Sequence, residues 1–123
     1  MMVSSCYPVF AGKNPERGVK VLTESFNLEI AHHFKSDLME YYVLKDANGN
    51  HMDLMRHNMV EDLGFFGMRL NVDDFEAMAE FLKAQGYEFA FGPFDMPTAI
   101  VAVMVNPTNP AAHRYVVSHH KKG

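Results

Sequence analysis

Apolar residues recur at i, i+3, i+4 and i+7 in Phe75, Met78, Ala79 and Leu82, a single stripe that predicts a helix from about Asp74 to Gln85. Asp73 or Asp74 is placed to cap the free N–H groups at its start, and Gly86 supplies a left-handed stop. An earlier stretch has the same grammar. Asn14 is a cap, Pro15 suits the first helical position, Val19, Leu22 and Phe26 line one face, and Asn27 can take the left-handed stop. Gly18 inside this helix weakens it, so packing must hold it in place.

The flanks of the two helices also match. Leu28-Glu29-Ile30 follows the first and Tyr87-Glu88-Phe89 the second, both alternating like strands. A β-rich run comes next in each half, Glu40 to Lys45 and Thr98 to Val105, and each ends in turn residues, Asp46 to Asn50 and Asn106 to Pro110. A last strand closes each half, His51 to His57 and His113 to His119, and one more precedes each helix, Ser4 to Ala11 and Phe65 to Val72. The repeat is about 60 residues long, too long for a solenoid, and is read as a duplicated βαβββ unit. The expected fold is therefore α+β, a single domain over residues 1–123, with module one at about 1–60 and module two at about 61–123.

Strand alternation sorts the side chains into two faces. Phe66, Met68, Leu70 and Val72 form an apolar set suited to lie under a helix, against Phe65, Gly67, Arg69 and Asn71. Met52 and Leu54 oppose His51, Asp53, Met55 and His57; Cys6, Pro8 and Phe10 oppose Ser5, Tyr7 and Val9. In the last strand, Val116 opposes His113, Tyr115, Val117 and His119. The face away from the helices thus mixes bulky groups (Tyr7, Met55, Phe65, Tyr115) with a few polar ones. Such a face is either wetted by solvent or the lining of a small-molecule pocket, and the bulky groups favour the pocket.

Composition narrows the function classes. The 123 residues carry 48% hydrophobic and 21% charged side chains, ordinary globular values, and a net charge of -4 with no basic stripe, which argues against a nucleic-acid partner. Cys6 is the one cysteine, so no internal disulfide forms, and its apolar neighbours predict a buried, inert thiol. No charged start leads into a long apolar stretch, and no run approaches the roughly 20 residues that span a bilayer. No signal peptide and no membrane partner are expected, and the cytoplasm is the default location.

The chain resembles the vicinal oxygen chelate superfamily, which includes glyoxalase-like lyases, bleomycin-resistance proteins and extradiol dioxygenases. The residues that carry the resemblance are Tyr7 to Phe10, the hairpin Asp46 to Leu54 and the run Phe66 to Phe75, supported by Gly86-Tyr87-Glu88 and Gly92-Pro93-Phe94. It implies a curved eight-stranded mixed sheet with helices outside, and frequently a homodimer. It also implies a divalent metal on four inward side chains, one from the first and one from the last strand of each module. By position these are Tyr7, Asp53, Gly67 and Tyr115, of which only Asp53 is an ordinary ligand. The standard centre is expected to be absent, and no cofactor is expected.

A nonstandard set, His51, Asp53 and His113, would suit iron, zinc or nickel if the modules faced each other; otherwise these histidines flank turns and are solvated. Arg69 is the most informative charge on the proposed pocket face. It either pairs with a carboxylate such as Asp53, holds an anionic ligand, or sits at an open rim. Gly67 beside it is expected to widen the pocket floor. The ligand-binding set is thus Tyr7, His51, Asp53, Met55, Phe65, Gly67, Arg69, His113 and Tyr115. The first expectation is a metal-free small-molecule-binding protein. The alternative is a lyase, isomerase or dioxygenase in which His51 or Asp53 is the base and Tyr7 or Tyr115 the acid.

Overall fold

The computed structural model describes residues 3–59, 61, 63–109 and 112–121. Its contacts gather into two compact units, one from Tyr7 to Phe66, the other from Gly67 onward together with the residues up to Cys6. Each has the expected βαβββ element order, with β1 (Val3–Gly12) beginning before the first unit does.

In the first unit, β1 is followed by α1 (Pro15–Ser25), β2 (Glu29–Lys35), β3 (Glu40–Lys45) and β4 (His51–Arg56), with strand order β2-β3-β4-β1. β1 and β4 run parallel, placing Val9 beside Asp53 and Phe10 beside Leu54; the other pairs are antiparallel. Parallel neighbours need a crossover, and α1 lies within it. Val19 of α1 packs on Leu44 and Leu54, with Leu22 and Met52 at the margin. Phe26, expected on that face, is instead exposed past the end of the helix, where Asn27 turns the chain at φ 59°. Asn14 occupies the cap position, but its side chain makes no capping bond. Gly18 has a packing role: a Cβ there would lie 2.8 Å from both Leu54 and Leu63, so the glycine brings helix and sheet together.

The second unit contains β5 (Gly64–Val72) from Gly67 on, α2 (Phe75–Ala84), β6 (Glu88–Asp95), β7 (Ala99–Val105) and β8 (Tyr115–His120), ordered β5-β8-β7-β6. β5 and β8 are parallel. Asp74 caps α2 by accepting from the Ala77 N–H at 3.0 Å, and Gly86 follows at φ 96°. Phe75, Met78, Ala79 and Leu82 are all buried, against Leu70, Val72, Ala102, Met104 and Val117. Truncating a buried leucine in such a cluster costs about 2–5 kcal/mol.

The expected turns are present. Asp46 accepts from the N–H groups of Asn48 and Asn50, both at 2.9 Å, which holds its carboxyl below the usual range. Asn106 accepts from Thr108 in the other turn, whose expected end at Pro110 lies outside the described residues. β2 and β6 run further than alternation implied. They end the strand orders and are mostly exposed on both faces, so burial imposes no two-residue pattern on them. Cys6 is exposed, which corrects the expectation of a buried thiol: its apolar neighbours in sequence do not cover it.

Candidate functional site

The face of the first unit turned away from α1 carries the residues expected there. Register pairs Asp53 with Val9 and Val43, and Met55 with Ala11 and Tyr41. Tyr7, Val9, Asp53, Met55, Tyr41 and Val43 are all buried, so this stretch is dry rather than washed by solvent. The Tyr7 ring lies 5.6 Å from the exposed His51 ring, while Asp53 is two residues along the same strand and fully buried. Tyr7, His51, Asp53 and Met55 are therefore brought onto one face. Phe65 is not. Its ring meets Phe10, the register partner of Leu54, and remains half exposed, while Phe66 is buried beside His57. Strict alternation therefore exchanged the two phenylalanines at the start of β5.

In the second unit the corresponding face carries a connected polar chain. Arg69, 2% exposed, donates from Nη1 to Ser118 Oγ at 3.1 Å; Ser118, 1% exposed, donates to Asn71 Oδ1; Asn71 Nδ2 donates to Ser5 Oγ at 2.8 Å. Register pairs Arg69 with Val116 and Asn71 with Ser118, so all of them share a face with Val101 and Val103. Burial rules out the open-rim position for Arg69, and a buried guanidinium requires anionic or polar company. Ser118 was not among the expected site residues. Its parity with Val116 in the last strand was the available signal, obscured because that strand was read with its faces reversed.

The reversal corrects a further residue. Tyr115 and Val117 lie on the helix-covered side, Val117 within the α2 core and the Tyr115 ring 5.4 Å from Tyr87. Burial, with Tyr115 adding to it, pushes the Tyr87 phenol up. An amphipathic reading could not choose between the faces, because valines occupy both. His113 is exposed in the turn before β8 and belongs to no strand. Gly67 does not widen a floor. A Cβ there would stand 2.2 Å from the Arg114 carbonyl oxygen, which accepts from the Met68 N–H at 2.9 Å; the glycine lets two backbones meet.

These positions do not fit the superfamily's metal. Tyr7 offers a phenol, Gly67 has neither a donor nor room for one, and Tyr115 faces the helix side, leaving Asp53 as the one ordinary ligand. Among the described residues no group of three His, Cys, Asp or Glu side chains gathers as a metal site, and the set His51, Asp53 and His113 is not such a group. No reaction step is derived through a metal.

A charged cluster that sequence reasoning missed lies at the end of β3 and β4. Buried Glu40 accepts from Arg56 Nε at 3.0 Å and meets His33 Nε2 at 3.0 Å, and His33 stacks on Tyr42 with centroids 4.0 Å apart. Arg56 also reaches Glu16 on α1 at 3.5 Å. Arg56 first, and His33 second, hold the Glu40 carboxyl below its ordinary value, while burial pushes the Tyr42 phenol up. Because both Glu40 oxygens have partners, the cluster joins helix to sheet rather than offering a reactive group. A polar hollow of about 240 Å³ lies elsewhere, lined by Asn27, Glu29, Lys45, Asp46, Ala47 and Gly49, and includes none of the expected site residues.

The fold is of the glyoxalase/bleomycin-resistance type. The chain is similar over 98% of its length to methylmalonyl-CoA epimerase from Mycobacterium tuberculosis, covering 90% of that chain with a TM-score of 0.73 and 12% identity. It matches a variant of the Streptomyces coelicolor methylmalonyl-CoA epimerase in complex with 2-nitronate-propionyl-CoA over 98% of this chain and 100% of that one, with a TM-score of 0.73 and 10% identity. A hypothetical protein from Bacillus halodurans C-125 is similar at a TM-score of 0.68 and 13% identity, covering 98% of each chain. No protein-family model and no curated protein matches the sequence. At these identities the likeness shows the fold, as the residues from Tyr7 to Phe10 and from Phe66 to Phe75 had implied. None of the helices in the described residues is long and apolar enough to cross a membrane.

Proposed function

We propose that this chain is a small-molecule-binding protein of the glyoxalase/bleomycin-resistance type that holds a carboxylate-bearing ligand without the superfamily's standard metal centre. The observation that carries the reading is the Arg69–Ser118–Asn71 chain on the face away from α2, in which Arg69 and Ser118 are buried. A guanidinium fixed by its neighbours is suited to recognise a planar anion. Solved structures of the same fold support the ligand class: one is described as methylmalonyl-CoA epimerase in complex with methylmalonyl-CoA and ammonium. The reading takes the protein to be cytoplasmic and a homodimer, with no nucleic-acid or membrane partner.

Calorimetric titration with methylmalonyl-CoA and with propionyl-CoA, which lacks the free carboxylate of the acyl group, tests it. The carboxylate ester should bind the tighter of the two, and Arg69→Met should remove that difference. Small dicarboxylates provide a second series. Equal affinity for the two esters in the wild-type chain, or no binding in either series, would overturn the proposal. Elemental mass spectrometry tests the metal-free part. About one retained ion per chain, lost on replacing His51 or Asp53, would overturn that part.

Catalysis is the second reading, favoured by Tyr7, His51 and Asp53 sharing one face. In it His51 or Asp53 takes a proton from carbon next to a carbonyl and Tyr7 supplies a hydrogen bond. Exchange of that proton in deuterium oxide, followed by NMR, should then occur and disappear in His51→Gln or in Asp53→Asn, whichever removes the base. Binding without exchange leaves the protein a carrier.

A further inference from the structure

We infer that the ligand held at Arg69 is an arylalkyl carboxylate, whose aromatic ring lies on Phe91 and Phe94 of β6 and is joined to the carboxylate by a short alkyl chain. The ring site rests on the carboxylate reading above and extends it to the rest of the ligand. Register lays two straight rows across the second unit's sheet, on the face away from α2. Arg69 on β5 stands beside Val116 on β8, Val116 beside Val103 on β7, and Val103 beside Phe91 on β6. The next row runs from Asn71 through Ser118 and Val101 to Phe94. In a regular strand, residues three apart point to opposite faces. The register shift between Phe91 and Phe94 returns both to the side of their valine partners.

Each row is polar at its β5 end and apolar at its β6 end. Arg69 Nη1 donates to Ser118 Oγ at 3.1 Å, so the guanidinium reaches β8, and β6 lies two strand spacings beyond, about 10 Å. Along the first row exposure is 2% at Arg69, 1% at Val116, 6% at Val103 and 53% at Phe91. The charge therefore stands at the closed end and the ring at the open one. A carboxylate gains most from a guanidinium where water is excluded. The valines between offer no donor or acceptor, which suits methylenes and penalises a hydroxylated chain. A half-exposed phenylalanine gains from a second ring stacked or set edge-on against it. Phe89, on the opposite face of β6, already has such a neighbour in Phe75, with centroids 6.4 Å apart.

Calorimetric titration with ω-phenylvalerate, with valerate and with the neutral amide of ω-phenylvalerate tests the ring site. The phenyl acid should bind tighter than valerate by a factor on the order of ten. Phe91→Ala should remove that advantage and leave valerate unchanged, while Phe91→Tyr should retain it. Because Phe91 is half exposed, its truncation spares the core. Arg69→Met should weaken both acids and leave the amide as it was. Equal binding of the two acids, both weakened by Arg69→Met, would overturn the ring site and leave the carboxylate reading standing. So would a chain that binds methylmalonyl-CoA but not the phenyl acid. An advantage of the phenyl acid that survives both Phe91→Ala and Phe94→Ala would overturn the position given to the ring. Amide and acid binding equally well would overturn the carboxylate reading and the ring site together.

Discussion

Ser118 accepts a hydrogen bond from Arg69 and donates one to Asn71, so one hydroxyl group links a buried charge on β5 to a half-buried amide two residues further along the same strand. Ser118→Ala removes both links at once where water does not reach. It should destabilise the chain by about 1–3 kcal/mol in urea unfolding, and it should weaken a carboxylate ligand more than its neutral counterpart. A stability loss under roughly 0.5 kcal/mol, the range of an ordinary surface substitution, would mean that the hydrogen-bonded chain rearranges without the hydroxyl.

Tyr115→Phe provides the contrasting case. Because Tyr115 packs with Tyr87 on the helix-covered side, its hydroxyl should matter to stability by roughly 1 kcal/mol and leave ligand affinity unchanged. An affinity loss comparable to that of Arg69→Met would put the ring back in the binding face.

Glu40 makes stability depend on acid. Its carboxyl is held below the ordinary value of 4.5, so its contribution is present above that pH and is lost as pH falls through the lower folded value. At neutral pH Glu40→Gln should cost about 1–3 kcal/mol. The gap between wild type and variant should close below pH 4.5 in urea titrations run over a pH series. A gap constant with pH would show that the carboxylate charge is not what Arg56 and His33 recognise.

Two glycines separate backbone contact from side-chain contact. Gly67→Ala drives a methyl to 2.2 Å from a backbone carbonyl, whereas Gly18→Ala meets the ends of two leucines at 2.8 Å. The first should cost about 2–3 kcal/mol or more. The second should cost less, because leucine ends can turn and alanine gains roughly 1 kcal/mol in a helix. Thermal or urea melts that rank them the other way would contradict this packing.

What could be read from the sequence follows from burial. α2, its Asp74 cap, Gly86 and the duplicated element order were legible because a one-sided helix and its stop residues leave local marks. Tyr7, Asp53 and Met55 were assigned to the right face because Leu54 and Met52 identify the opposite one. β8 was not, since Val116 and Val117 are both buried and a strand covered on both sides loses its alternation. The roles of Gly18 and Gly67 were illegible for another reason: each exists for an atom distant in sequence, Leu54 for one and Arg114 for the other. Glu40, Arg56 and His33 formed no recognisable motif because they come from three strands.

The tight approach at Gly67 also limits which side chains position 67 can accept. Here a histidine or glutamate at position 67 has no space until the Arg114 carbonyl withdraws, and that carbonyl is held by Met68. Any such side chain would need the backbone of β5 to part from the turn before β8. A donor side chain at position 67 therefore comes only with a rebuilt junction between β5 and β8.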